Sequence, residues 1–160
     1  MPASARDRTA HVRIRAAAAG EGERLREITT AAKGFWDYDP ARVREWGAAL
    51  DLSPGRLATA YAYVAELDGR AVAWAEILPP AGGVCVLEHL WVDPALIRRG
   101  LGSRLFEFAA ERARELGATA LEWEAERNAL GFYRMMGGRH LRTEITEWGR
   151  EGSVMGIDLR

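Results

Sequence analysis

Residues 84–92 read Val-Cys-Val-Leu-Glu-His-Leu-Trp-Val and are closed by Asp93-Pro94; a few residues later the chain passes through Arg98-Arg99-Gly100-Leu101-Gly102-Ser103. A run apolar on both faces predicts a central strand, and proline ends its hydrogen-bonding ladder. Beyond the glycines, Leu105, Phe108, Ala109, Ala113 and Leu116 recur at helical spacing and stop at Gly117. That spacing predicts an amphipathic helix over Leu101 to Leu116. A buried strand, a glycine turn and a long one-sided helix leave a layered α/β sheet as the architecture that hides both apolar surfaces. The turn also has chemistry. Gly100 and Gly102 lack the Cβ atoms that would hold a ligand off the backbone, and the free amides and dipole of a helix start favour an anion. Arg98 and Arg99 add charge-assisted donors. An ordinary loop-to-helix junction is the competing reading. The Gly-x-Gly spacing lacks the third glycine of the dinucleotide fingerprint and the Gly-Lys-Ser/Thr ending of a P-loop.

The remaining chain supplies the rest of such a sheet. Val12 and Ile14 alternate with polar residues within His11 to Arg15, a half-buried strand. Leu25, Ile28, Ala31 and Ala32 form a helical stripe from Glu21 to Gly34. The aromatic stretch Phe35-Trp36-Asp37-Tyr38-Asp39-Pro40 leads into a second helix with Pro40 in its first turn and Val43, Trp46 and Leu50 on one face. Ala60–Leu67 and Ala71–Leu78 flank Asp68-Gly69, the dipeptide of a tight hairpin. Ala118–Glu124 is a short strand, and Asn128–Met136 is a short helix ended by Gly137-Gly138. Leu141–Glu147 and Val154–Leu159 form a terminal hairpin around Gly149 to Gly152. The expectation is a mixed α/β (α+β) fold with a central, largely antiparallel sheet of about seven strands flanked by four helices, in one domain over residues 11–160. Residues 1–10 read as a flexible tail.

Composition narrows the partners. Net charge is −1, with 28% charged and 48% hydrophobic residues, and the arginines are balanced by acids. No basic excess calls for nucleic acid, and no apolar run is long enough to span a membrane. A cytoplasmic location is expected by default. Cys85 stands alone in an apolar run and reads as a small buried hydrophobe; His11, His89 and His140 are dispersed, so no metal is expected.

Leu87-Glu88-His89-Leu90-Trp91-Val92-Asp93-Pro94, followed by Arg98-Arg99-Gly100-Leu101-Gly102-Ser103-Arg104-Leu105-Phe106, resembles the cofactor-binding core of the GCN5-related N-acetyltransferase (GNAT) superfamily. Ala129-Leu130-Gly131-Phe132-Tyr133-Arg134-Met135-Met136-Gly137-Gly138 is similar to a second segment of that family, and the element order agrees with its fold. The resemblance implies acetyl-CoA as co-substrate. Leu90, Trp91 and Val92 would offer their backbone to the pantetheine arm where their strand splays from the one holding Leu121 and Trp123. Arg98, Arg99, Gly100, Leu101, Gly102 and Ser103 would hold the pyrophosphate. Tyr133 matches the tyrosine that protonates the departing thiolate in many members. Ile97 replaces a usual Gln or Arg, and Glu126 stands where the family has Asn. Asn128, two residues on, is assigned a pantetheine contact, with a helix cap as the other reading.

Acetyl transfer to an amine also needs a proton acceptor. Glu88 is the leading candidate, because burial on the central strand would raise its pKa; a structural pair with an arginine is the alternative. His89 should face the other way, and Glu122 and Glu124 are further candidates. Trp36, Asp37 and Tyr38 are assigned to the acceptor, whose cationic amine suits a carboxylate and ring faces. The expected reaction is direct transfer from acetyl-CoA to a primary amine of a small molecule or peptide in a ternary complex. A catalytically inert acyl-CoA-binding module on the same fold stays open, as does a homodimer.

Overall fold

The structure, a computed structural model, describes residues 11–160; the tail expected at residues 1–10 lies outside them. The strands are β1 (Val12–Ala16), β2 (Tyr61–Leu67), β3 (Arg70–Ile77), β4 (Val84–Val92), β5 (Ala120–Ala125), β6 (Arg139–Ile145) and β7 (Glu151–Asp158). The helices are α1 (Gly22–Gly34), α2 (Pro40–Ala49), α3 (Pro54–Leu57), α4 (Leu101–Glu115) and α5 (Leu130–Met135), with 3-10 turns at Ala19–Glu21, Pro94–Leu96 and Arg127–Ala129. The seven strands follow the order β1-β2-β3-β4-β5-β7-β6, with β4 and β5 parallel and the pairs β1/β2, β5/β7 and β6/β7 antiparallel. This is the mixed, seven-stranded α/β fold expected. Helix α3 was missed because one turn is too short to show a hydrophobic period.

By packing, the described residues divide into two compact units: 11–76 with His89–Leu105, and Ile77–Glu88 with Phe106–Arg160. In the first, Leu25 and Ile28 of α1 pack with Leu52, Leu57, Ala62, Val64, Ala71 and Trp74 in a buried cluster. Local chemistry sets the element ends. Asp39 accepts a hydrogen bond from the Ala41 amide at 3.1 Å and caps α2, whose first residue is Pro40. Asp68 and Gly69 both adopt positive φ, 51° and 82°, the geometry of the two-residue hairpin their identities predict.

In the second unit Phe106 meets Trp123 edge-on, with ring centroids 5.2 Å apart, and Leu121 and Met155 are fully buried. The helix α4 stripe differs from expectation in one member. Phe108 is exposed, and the buried face runs through Leu101, Leu105, Phe106, Ala109, Ala110 and Ala113. Phe108 lies about 200° around the helix from Phe106 at 3.6 residues per turn, and only one of them can face the sheet. Strand β4 is also less enclosed than expected, since Val86 and Glu88 are exposed while Cys85 and Leu87 are buried.

Candidate active site

At the end of β4 the Asp93 amide donates to Val72 O at 2.9 Å, while Asp93 Oδ1 accepts from the Ala95 amide at 3.1 Å and caps the turn that opens the loop. Arg24 of α1 holds that aspartate in place, donating from Nη2 to Asp93 Oδ2 at 3.2 Å and from Nε to Ala71 O at 2.9 Å. The loop then makes two left-handed turns in three residues, at Arg98 (φ 63°) and Gly100 (φ 79°). For Arg98 this conformation costs about 1–2 kcal/mol, and strain of this kind gathers at ligand-binding turns.

Helix α4 begins at once, and its first intrahelical bond in this turn is Arg104 N to Gly100 O at 3.1 Å. The amides of Leu101, Gly102 and Ser103 precede that bond and have no intrahelical acceptor, at the positive end of a fifteen-residue helix dipole. A Cβ built on Gly100 would meet nothing within 4 Å. Open space at the glycine, free amides and the guanidinium groups of Arg98 and Arg99 fit a diphosphate.

Strand β4 departs from regular pairing on both sides. With β5 its parallel register is Val84 to Ala120, Cys85 to Leu121 and Val86 to Glu122. Among the described residues it ends there, although β4 continues to Val92 and β5 to Ala125. Toward β3, Leu78 N bonds Val86 O and Asp93 N bonds Val72 O, so β4 holds one more residue than β3 between these bonds. A strand with one extra residue bulges and twists, which re-aims its backbone.

An aromatic stack adjoins this strand in the first unit. Trp74 donates to Thr29 Oγ1 at 2.8 Å, and His89 stacks on Trp74 at 4.6 Å. Trp91 donates from Nε1 to His89 Nδ1 at 2.9 Å and meets Trp46 edge-on at 5.7 Å. This bond requires the neutral tautomer with its proton on Nε2, so His89 has no free lone pair and is not a base. Burial, and next the Arg56 charge, push its pKa down to about 4.

That shift has a measurable consequence for stability. Between about 4 and the ordinary 6.5 the unfolded chain binds a proton the native imidazole refuses. Stability is therefore fully present above 6.5 and falls, by about 3 kcal/mol, as pH drops through 4. His89→Asn, whose carbonyl still accepts from Trp91, should flatten that window. Urea midpoints measured against pH check this, and an unchanged slope would remove His89 as the source.

The predicted acceptor residues fare unequally. Trp36 and Asp37 are exposed, with Trp36 edge-on to Phe35 at 4.9 Å. Tyr38 already carries a cation, since the ammonium of Lys33 sits 4.1 Å from its ring centroid. That ring face is taken, and Lys33, only 6% exposed, is a neighbour that sequence reasoning missed. Its one signal was a lysine at the end of the α1 stripe, which reads as an ordinary helix terminus.

In the second unit, Glu88 is exposed, which corrects the expectation that burial raises its pKa. The β4 alternation aims it away from the face of Cys85 and Leu87. Glu122 pairs with Arg142 at 3.4 Å, and Glu124 is exposed. Tyr133 is 8% exposed, among the rings of Trp123 at 5.0 Å, Phe132 at 5.1 Å and Phe106 at 6.2 Å. Burial, and next the Glu126 charge, hold its phenol far above the ordinary value, so it stays protonated. Asn128 is exposed and donates to Glu126 Oε1 at 2.9 Å within a 3-10 turn, so it caps neither that turn nor α5. Among the described residues no group of three or more His, Cys, Asp or Glu could hold a metal ion, and no helix is long and apolar enough to cross a membrane.

The mixed seven-stranded sheet and the sequence agree on the class of protein. Residues 23–137 match the model of the acetyltransferase (GNAT) family, to which the chain belongs. An uncharacterized N-acetyltransferase in the pepI 3′ region of Lactobacillus delbrueckii subsp. lactis is 29% identical over 134 residues, covering 75% of this chain and 72% of that protein. The crystal structure of PaiA N-acetyltransferase from Thermoplasma acidophilum in complex with coenzyme A superposes with a TM-score of 0.78 at 16% identity, over 92% of this chain and 98% of that one. YncA, a putative acetyltransferase from Salmonella typhimurium with acetyl-CoA, gives 0.69 at 18% identity, over 93% and 94%. At such identities these two likenesses speak for the fold.

Proposed function

We propose that this chain transfers the acetyl group of acetyl-CoA to a primary amine of a small molecule or peptide, by direct attack in a ternary complex. The observation that carries the reading is the double left-handed turn at Arg98 and Gly100, which opens onto the unpaired amides of α4 in a chain of this family. Acetyl-CoA, when bound, supplies an acyl group activated as a thioester. The amides of Leu101, Gly102 and Ser103 hold its diphosphate, with Arg98 and Arg99 neutralising the charge. The backbone of Leu90, Trp91 and Val92 offers hydrogen bonds to the pantetheine amides. Trp36 and Asp37, both exposed, receive the acceptor amine.

Glu88, exposed on β4, accepts the amine proton at its carboxylate, directly or through water. Tyr133 Oη, held protonated by burial, gives a proton to the departing thiolate. Thiol release measured over a panel of amines tests the reaction. Glu88→Gln should lower kcat about 100-fold with little change in affinity for coenzyme A, and Tyr133→Phe should slow thiol release comparably. Retention of coenzyme A with no turnover on any amine would favour an inert binding module, and full activity of Glu88→Gln would move the base elsewhere.

A further inference from the structure

The guanidinium of Arg24 fastens three pieces of chain that are distant in sequence. It donates from Nε to Ala71 O on β3 at 2.9 Å, from Nη2 to Asp93 Oδ2 at 3.2 Å, and from Nη1 to Glu27 Oε2 at 3.1 Å. Asp93 in turn heads the loop that follows β4. Its Oδ1 accepts from the Ala95 amide at 3.1 Å, its backbone O accepts from the Leu96 amide at 2.8 Å, and its own amide bonds Val72 O at 2.9 Å. One side chain thus ties the first turn of α1, the start of β3 and the head of the loop together, all within the first unit.

That loop needs fixing because it is strained. Arg98 stands at φ 63°, a conformation its Cβ disfavours, and such residues persist only where the chain on both sides over-determines them. On the helix side, Arg104 N bonds Gly100 O at 3.1 Å and Arg104 Nη2 reaches Val12 O on β1 at 3.4 Å. On the strand side the restraint is the Asp93 turn. A planar guanidinium that already holds Ala71 O confines the Asp93 carboxylate to one orientation, which a flexible point charge would not do.

We infer that Arg24 is a positioning residue for the anion loop: acting through Asp93, it presets the backbone of Arg98 to Ser103 before a diphosphate arrives. The inference rests on the reading of that loop as the coenzyme A site. A loop that is not preset must be ordered by the ligand itself, and that ordering lowers affinity without touching the chemistry of the bound complex. The signature is therefore selective, with weaker binding of coenzyme A and an unchanged kcat once acetyl-CoA saturates. A simple attraction between the Arg24 charge and the diphosphate predicts something different. Removing the Asp93 charge would then strengthen binding, whereas positioning requires that removing either partner weaken it.

Calorimetric titration of the full chain with coenzyme A tests this. Arg24→Met and Asp93→Asn, each alone, should weaken binding about tenfold, and together little more than either alone, because both break one contact. The carbonyl of Asn still accepts from the Ala95 amide, so Asp93→Asn keeps the cap of the turn. Glu27→Gln, on the exposed side of the same guanidinium, should leave affinity within about twofold of wild type. Hydrogen exchange at the Ala95 and Leu96 amides should quicken in Arg24→Met and slow again with saturating coenzyme A. Melting temperatures show which variants are folded, and if Arg24→Met is not, Asp93→Asn carries the prediction alone. Wild-type affinity in the single variants, tighter binding by Asp93→Asn, or a double variant weakened about a hundredfold, the product of the singles, would each overturn the inference. The coenzyme A reading survives those results as long as the wild type binds and Gly100→Val binds weakly. A wild type that does not bind coenzyme A overturns both.

Discussion

Gly100→Val should lower affinity for coenzyme A at least about tenfold while costing the fold only about 1–2 kcal/mol, the strain of a left-handed residue with a Cβ. Packing does not oppose the new side chain, because its Cβ would project into open space. The opposition is conformational. Gly100 sits at φ 79°, and a β-branched residue relieves its strain by turning out of that region. Any such turn swings the amide of Leu101, the donor directly attached to it, and with it that of Gly102. Asn, which tolerates the left-handed region, should retain most of the affinity at the same position. Calorimetric titration with coenzyme A, alongside the melting temperature, separates the two effects. A Val variant that binds like wild type would show that the cradle lies elsewhere.

Arg56→Met should have the largest effect on stability, about 3–5 kcal/mol, the range for breaking a buried ion pair from one side. Glu76 on β3 is 2% exposed, and both its oxygens are taken by Arg56, from Nη1 at 3.0 Å and Nη2 at 2.6 Å. Without the guanidinium the carboxylate stays buried with its charge uncompensated. Against a total stability of roughly 5–15 kcal/mol, such a loss brings the chain close to unfolding at ambient temperature. Arg56→Met with Glu76→Met should recover most of it, since an apolar pair of similar volume removes the desolvation cost together with the attraction. Urea unfolding of the two singles and the double closes the cycle. A second readout is His89, whose imidazole is held down partly by the Arg56 charge; its pKa should rise above about 4 in Arg56→Met. A loss within about 0.5 kcal/mol of zero, the range of ordinary surface changes, would mean that Glu76 is served by water.

What the amino-acid sequence determined by itself is local. Asp68-Gly69 makes a tight turn because both positions need positive φ, and Asp39-Pro40 starts α2 by a cap and a preset dihedral. Gly100-Leu101 sets a left-handed residue directly before a helix start. These properties depend on a few adjacent residues, so they are legible before folding, and with the Tyr133 segment they marked the family.

The tertiary structure decided what faces what. Glu88 and Phe108 were placed by strand and helix periodicity, yet each was misjudged as buried, because periodicity says that a residue shares a face and not whether anything covers it. Lys33 under Tyr38, Arg24 on Asp93 and Arg56 on Glu76 join residues far apart in the chain, and no spacing rule announces such partners. Arg98 takes a left-handed conformation that its side chain disfavours, because the flanking turn and helix together impose it. The exposed edge of β6 has the same origin. Its residues alternate like those of any half-buried strand, and only its place at the end of the sheet leaves both faces open.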